Sequence, residues 1–257
     1  MIKQPSLNKI GYVTYATFML VITFGMALSS FIYEAPYGSL KMIQVLLPFQ
    51  VALIVVCAFS ISRYLSWREV VFKSINKKSL LWLAPVVLIL LSVWFIFLIN
   101  IRTISVEYSA WSNFILIGLV TLLVGISEEL MFRGVLLQIL WHTQGPRKAV
   151  LISALLFSML HSINIMGNHS LTNTLLQMIT TFILGVYAAG VTLKIRNLVP
   201  MILFHWLWDF ILIGAGYLHY TLPGWMMIAV LIELILGVVI WVRLRQNTIN
   251  SIGIINN

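Results

Sequence analysis

Glu128, Glu129 and Arg133 stand inside an apolar stretch long enough to cross a bilayer, in the run Ser127-Glu128-Glu129-Leu130-Met131-Phe132-Arg133. Each such charge costs roughly 2.5–3.5 kcal/mol at the centre of a membrane helix, so the default reading is a functional site. Glu129 and Arg133 are four apart, share a helical face and can pair. Glu128 points about 100° away and is left for other work. Further along, His161 closes Phe157-Ser158-Met159-Leu160-His161, and His205 and Asp209 fall four apart in Phe204-His205-Trp206-Leu207-Trp208-Asp209. Carboxylates and imidazoles in one cavity can activate a water as general base for hydrolysis. Two histidines and a carboxylate could instead hold zinc, or the groups could relay protons through a transporter. No nucleophile signature competes, because Gly-x-Ser-x-Gly is absent and the single cysteine, Cys57, lies in an apolar run; the zinc-protease signature His-Glu-x-x-His is absent too.

The elements that must position these residues are membrane helices. The chain has 257 residues, is 61% hydrophobic and only 9% charged, and its mean hydropathy is +1.01. A soluble domain is nearer a quarter charged. The formal charge of +9 is distributed between apolar segments rather than gathered into a patch, which argues against nucleic acid. Apolar windows predict an all-α, polytopic protein of about eight spans, near 11–32, 43–63, 81–101, 112–140, 149–163, 172–193, 198–217 and 224–242. They form a single transmembrane domain over residues 1–257. With both termini cytoplasmic, the inside segments hold 13 of the 16 Lys and Arg residues: Lys3, Lys9, Arg63, Arg68, Lys73, Lys77, Lys78, Arg147, Lys148, Lys194, Arg196, Arg243 and Arg245. Only Lys41 and Arg102 fall outside, and Arg133 is intramembrane. The rise per residue then puts Glu128, His161 and His205 at similar depth, from mid-membrane toward the cytoplasmic leaflet.

The three motifs resemble those of the CAAX prenyl protease and bacteriocin-processing family, also called CPBP or Abi. Its pattern is EExxxR, then FxxxH, then HxxxN or HxxxD, on separate transmembrane helices. Here Glu128 to Arg133, Phe157 to His161 and His205 to Asp209 supply the three in order, so the family-like core covers about 112–217. The resemblance implies a glutamate-dependent intramembrane endopeptidase. In that reading Glu128, with His161, activates a water, and His205 stabilises the tetrahedral oxyanion with help from Asp209. Glu129 and Arg133 form a supporting buried pair, and Phe157 and Phe204 shape the cavity by packing. The prenyl-endopeptidase branch carries asparagine at the position of Asp209. An ionised aspartate cannot donate to an oxyanion, which favours an acid that stabilises a cationic His205.

The resemblance implies a peptide or protein substrate at or in the membrane, near its cytoplasmic face, in a bacterial cytoplasmic membrane and in bacteriocin or peptide maturation or self-immunity. It assigns no cofactor and no metal ligand, although three ligands for zinc stay open. The alternative is a non-catalytic membrane protein of the same fold that binds a regulatory partner or peptide. Glu233, alone in the last span, matches no motif and reads as structural. Trp206 and Trp208 read as interfacial aromatics. The basic run from Arg68 to Lys78 reads as topological, with anionic lipid as its partner.

Overall fold

The protein was analysed as a computed structural model, which describes residues 6–104 and 106–244. Lys3 and Arg245, counted above among the inside residues, lie outside the described residues. All eight expected apolar segments form helices, and no strand occurs among the described residues. Helix α1 (Leu7–Ala27) runs into a π turn at Leu28–Ile32, and α2 (Leu40–Tyr64) returns antiparallel to it. Pro48 lies inside α2, a position that membrane helices tolerate. The short α3 (Trp67–Val70) follows, then α4 (Ala84–Asn100). Helix α5 (Tyr108–Glu129) continues through a π segment, Leu130–Leu136, into α6 (Leu137–Gln144). Then come α7 (Pro146–Leu160), α8 (Leu171–Ile195), α9 (Val199–Tyr217) and α10 (Ile228–Arg243).

Seven of these segments are long and apolar enough to cross a membrane, and the chain is a multi-pass membrane protein. The segment expected at 81–101 is the shorter one. Its helix, α4, has 17 residues, about 25 Å at 1.5 Å per residue, because 3-10 turns at Lys77–Trp82 and Ile101–Thr103 take up its two ends. The long fourth segment is one continuous helix of 37 residues, Tyr108–Gln144. It stops at Gly145, whose φ of +82° suits glycine. Pro146 then opens α7 where no backbone donor is needed.

Two large apolar cores organise the bundle, beside a small cluster of Ile43, Ile117 and Val120 between α2 and α5. One joins α1, α2, the π segment, α6 and α7; the other joins α4, α8, α9 and α10. Helix α9 lies along α5, and α8 lies between α7 and α10. The basic connections gather at one end of the bundle. There Thr143 Oγ1 donates to Asn8 Oδ1 at 2.6 Å and Arg147 donates to the Val242 carbonyl at 2.6 Å. Asn197 donates to the Lys73 carbonyl at 2.8 Å, and the Leu198 amide donates to the Val71 carbonyl at 3.1 Å. The segment after α2 therefore folds back beneath the α8–α9 turn. At the opposite end, the Tyr37 amide donates to the Gly167 carbonyl at 2.8 Å and Asn113 donates to Tyr217 Oη at 2.9 Å.

Candidate active site

The EExxxR motif occupies the junction where α5 gives way to the π segment. π turns inside α-helices recur at functional sites, where the extra residue per turn re-aims side chains. Just before the junction, Gly125 lets α9 approach closely. A Cβ there would lie 3.3 Å from the Trp206 backbone nitrogen and 3.5 Å from the Ile202 carbonyl oxygen. This contact brings the two acids of α5 onto His205 of α9, which follows the small-residue logic of membrane helix packing.

The two acids have different surroundings. Glu129 Oε1 accepts from Arg133 Nη1 at 2.9 Å, and both side chains are 1% exposed. The same oxygen lies 3.0 Å from His205 Nδ1, so Glu129 serves the histidine as well as the arginine. Glu128 is 13% exposed and lines a cavity of about 470 Å³, within the range of roughly 300–1,000 Å³ typical of ligand sites. The adjacent acids thus divide as the helical geometry predicts: Glu129 is sealed into the pair and Glu128 faces the open space.

His205 stands among three carboxylates. Its Nε2 is 3.3 Å from Asp209 Oδ2 and 3.7 Å from Glu128 Oε2, while Nδ1 faces Glu129. Both ring nitrogens point at acceptors that cannot donate when ionised, an arrangement that a doubly protonated imidazolium satisfies. His161 is placed differently. Its Nδ1 lies 3.0 Å from the Phe157 carbonyl oxygen, and a carbonyl only accepts. That bond makes Nδ1 the donor and leaves Nε2 with a lone pair. His161, His205, Glu128 and Asp209 all line the same cavity. Glu128 and His161 make no direct hydrogen bond; they share the cavity rather than a bond.

Phe157 sets the spacing. Its ring centroid is 5.1 Å from that of His161 and 6.1 Å from that of His205, edge-on to both, and Arg133 Cζ lies 4.3 Å from it. The ring separates the two histidines and covers the guanidinium, whose Nε and Nη2 have no oxygen partner among the described residues. Phe204 is buried in the second core with its ring 5.9 Å from that of Trp208, and it does not line the cavity.

Sequence reasoning missed several residues. Trp208 is a cavity wall rather than an interfacial aromatic. Trp206 donates to the Gly118 carbonyl at 2.8 Å and ties α9 to α5. Tyr37 Oη accepts from Asn164 Nδ2 at 3.2 Å and from Gln177 Nε2 at 3.1 Å, a polar cluster at the far end of the cavity. Burial raises the affinity of this Tyr37 phenol for its proton. The only signal for it was Asn164, polar at the end of an apolar span. Glu233 is 3% exposed and also borders the cavity. Among the described residues, no group of three His, Cys, Asp or Glu side chains is arranged to hold a metal ion.

Glu128, His161 and His205 meet on one cavity, and that cavity does not extend toward the basic end of the bundle. Every residue from Glu129 to Leu140 is buried, and Val70, Val71 and Leu198 pack against that stretch. The folded-back segment thickens this end and closes it below the site.

Comparison with known proteins agrees with the motifs. No curated protein matches the chain. The family model of type II CAAX prenyl endopeptidases, Rce1-like, matches residues 109–211, a span that contains all three motifs and none of α1, α2 or α10. Over that segment the chain is similar to the Rce1-like CAAX prenyl endopeptidases, a family of proteases.

Proposed function

We propose that this protein is an intramembrane endopeptidase in which Glu128 and His161 activate a water against a peptide carbonyl. Glu128 takes the water proton while the Nε2 lone pair of His161 orients or shares it. The hydroxide adds to the carbonyl carbon, and the resulting oxyanion is stabilised by the positive charge of His205, whose Nε2 proton it shares with Asp209. Glu129 and Asp209 hold that cation from its two sides, and Arg133 balances the charge of Glu129. The proton held at Glu128 then passes to the amide nitrogen as the C–N bond breaks, so acid and amine leave with the base restored. The observation that carries this reading is the unequal engagement of the two histidines on one cavity. His161 has a free acceptor nitrogen, while both nitrogens of His205 are committed to carboxylates.

The setting that fits best is a bacterial cytoplasmic membrane, with a membrane-associated peptide as substrate in bacteriocin or peptide maturation or in self-immunity. The test compares the membrane-bound and released peptides of cells carrying the wild type, Glu128→Ala or His161→Ala, by mass spectrometry. A peptide terminus present with the wild type and missing with both variants, at equal protein level, supports the proposal. Unchanged termini with either variant overturn it.

A further inference from the structure

We infer that the substrate is an extended, apolar polypeptide segment that enters from the membrane face opposite the basic loops, which is the non-cytoplasmic face. The inference names the substrate of the peptidase proposed above and so rests on that reading, but its evidence is separate. The cavity is sealed on the basic side by the buried stretch from Glu129 to Leu140 and by Val70, Val71 and Leu198 behind it. Most of its other lining residues fall in the half of each helix that leads to the opposite end, among them Ile22 and Met26 of α1, Met42 and Leu46 of α2, Thr181 of α8 and Leu212 of α9. It reaches that end at Tyr37, Asn164 and Met227, and Met227 is 60% exposed.

Charge identifies the two faces. Among the described residues, Lys9, Arg63, Arg68, Lys73, Lys77, Lys78, Arg147, Lys148, Lys194, Arg196 and Arg243 fall at the sealed end, and only Lys41 and Arg102 at the open one. Cytoplasmic loops carry the excess of Lys and Arg, so the sealed end is cytoplasmic and the open end is not. This departs from the expectation of a substrate near the cytoplasmic face.

The wall describes the guest. Met26, Met42, Met226 and Met227 surround the open half of the cavity. Methionine is flexible and polarisable, and Met-rich surfaces accommodate varied apolar side chains. At the mouth, the amide groups of Asn164 and Gln177 with the hydroxyl of Tyr37 offer donors and acceptors to an unpaired peptide backbone. An apolar segment of a chain already moved across the membrane meets both requirements. Translocation of the substrate would then precede cleavage.

The test uses cysteine accessibility in full-length protein with Cys57→Ala as background, since Cys57 is the sole cysteine and is buried. Three single cysteines are introduced outside the catalytic machinery: Thr221→Cys in the loop at the open end, Lys78→Cys in the loop at the sealed end, and Thr181→Cys in the cavity. A membrane-impermeant charged thiol reagent is applied to intact cells and to inverted membrane vesicles. The inference expects Thr221→Cys and Thr181→Cys to label in intact cells and Lys78→Cys to label only in inverted vesicles. Labelling of Thr181→Cys from the Lys78 side, from both sides or from neither overturns it, as does exchange of the two loop patterns. None of these readings depends on proteolysis. A failure of the peptidase proposal appears instead as unchanged termini with Glu128→Ala, so the two failures are distinguishable.

Discussion

Arg133→Met isolates what the buried pair contributes. Glu129 and Arg133 are each 1% exposed, and Glu129 Oε1 holds Arg133 Nη1 at 2.9 Å and His205 Nδ1 at 3.0 Å. Methionine keeps the length of the side chain and removes the charge, so the carboxylate stays buried with one imidazole as its partner. Breaking a buried pair in this way costs about 3–5 kcal/mol. At about 2–4 °C per kcal/mol for a chain of this size, the melting midpoint should fall by roughly 6–20 °C. The protein carries its own probe: Cys57 is 0% exposed in the α1–α2 core and is the sole cysteine. A thiol-reactive dye therefore reports the unfolding of detergent-solubilised protein without any label being introduced. Adding Glu129→Gln to Arg133→Met should recover most of the loss, since no unpaired charge remains buried, while peptide cleavage stays abolished because His205 has lost its Nδ1 carboxylate. A fall below roughly 2 °C in the single variant would refute the reasoning. So would a double variant no more stable than the single, because coupled partners must show a non-additive cycle.

Three further outcomes follow from the geometry. Gly125→Val places methyl groups against the Trp206 backbone, where even a Cβ sits at 3.3 Å. It should cut cleavage by about 10²-fold, the usual scale for an ångström of misplacement, with protein still accumulating in the membrane; wild-type turnover would show that α9 need not approach α5 so closely. Asp209→Asn removes one of the carboxylates facing His205 Nε2 and should slow turnover and alter its pH profile in a peptide-cleavage assay. An unchanged rate and profile would remove any role for its charge. Glu233, 3% exposed and without a hydrogen bond or ion pair among the described residues, should be replaceable by Leu with a gain in melting midpoint, since an unpaired buried polar group costs about 1–3 kcal/mol. A large drop would reveal a partner for it.

The relation between Glu129 and Arg133 was legible in the sequence because both lie on one helix, where the spacing of four fixes their separation. The placement of the eight apolar segments was legible for the same reason: burial in lipid demands long apolar runs. What joins different helices was not legible. That Glu129 also holds His205 depends on how closely α9 can approach α5, and Gly125 reads as an ordinary apolar position. The π segment at 130–136 left no trace, because a uniformly buried run has no polar face whose periodicity could shift. The fold-back after α2 was not legible either: the basic run from Arg68 to Lys78 read as topological, whereas hydrogen bonds from Asn197 and Leu198 to the Lys73 and Val71 carbonyls hold it beneath α8 and α9. Trp206 and Trp208 looked like interfacial aromatics until the helix they occupy proved to be a cavity wall.

The division of that wall has a consequence for how such a protein could be re-engineered. The groups proposed to carry the chemistry, Glu128, His161, His205 and Asp209, all lie within the matched span 109–211. Most residues that shape the open half, among them Ile22, Met26, Tyr37, Met42, Leu46, Met226 and Met227, lie outside it. The groups proposed for the chemistry thus lie in one stretch of the chain, while much of the open half, apart from residues such as Asn164, Gln177 and Thr181, comes from outside it. A fragment holding only the motif helices would lose three sides of its cavity. A chimera that exchanges α1, α2 and α10 between two such proteins should exchange the peptides they accept and leave the hydrolytic step intact.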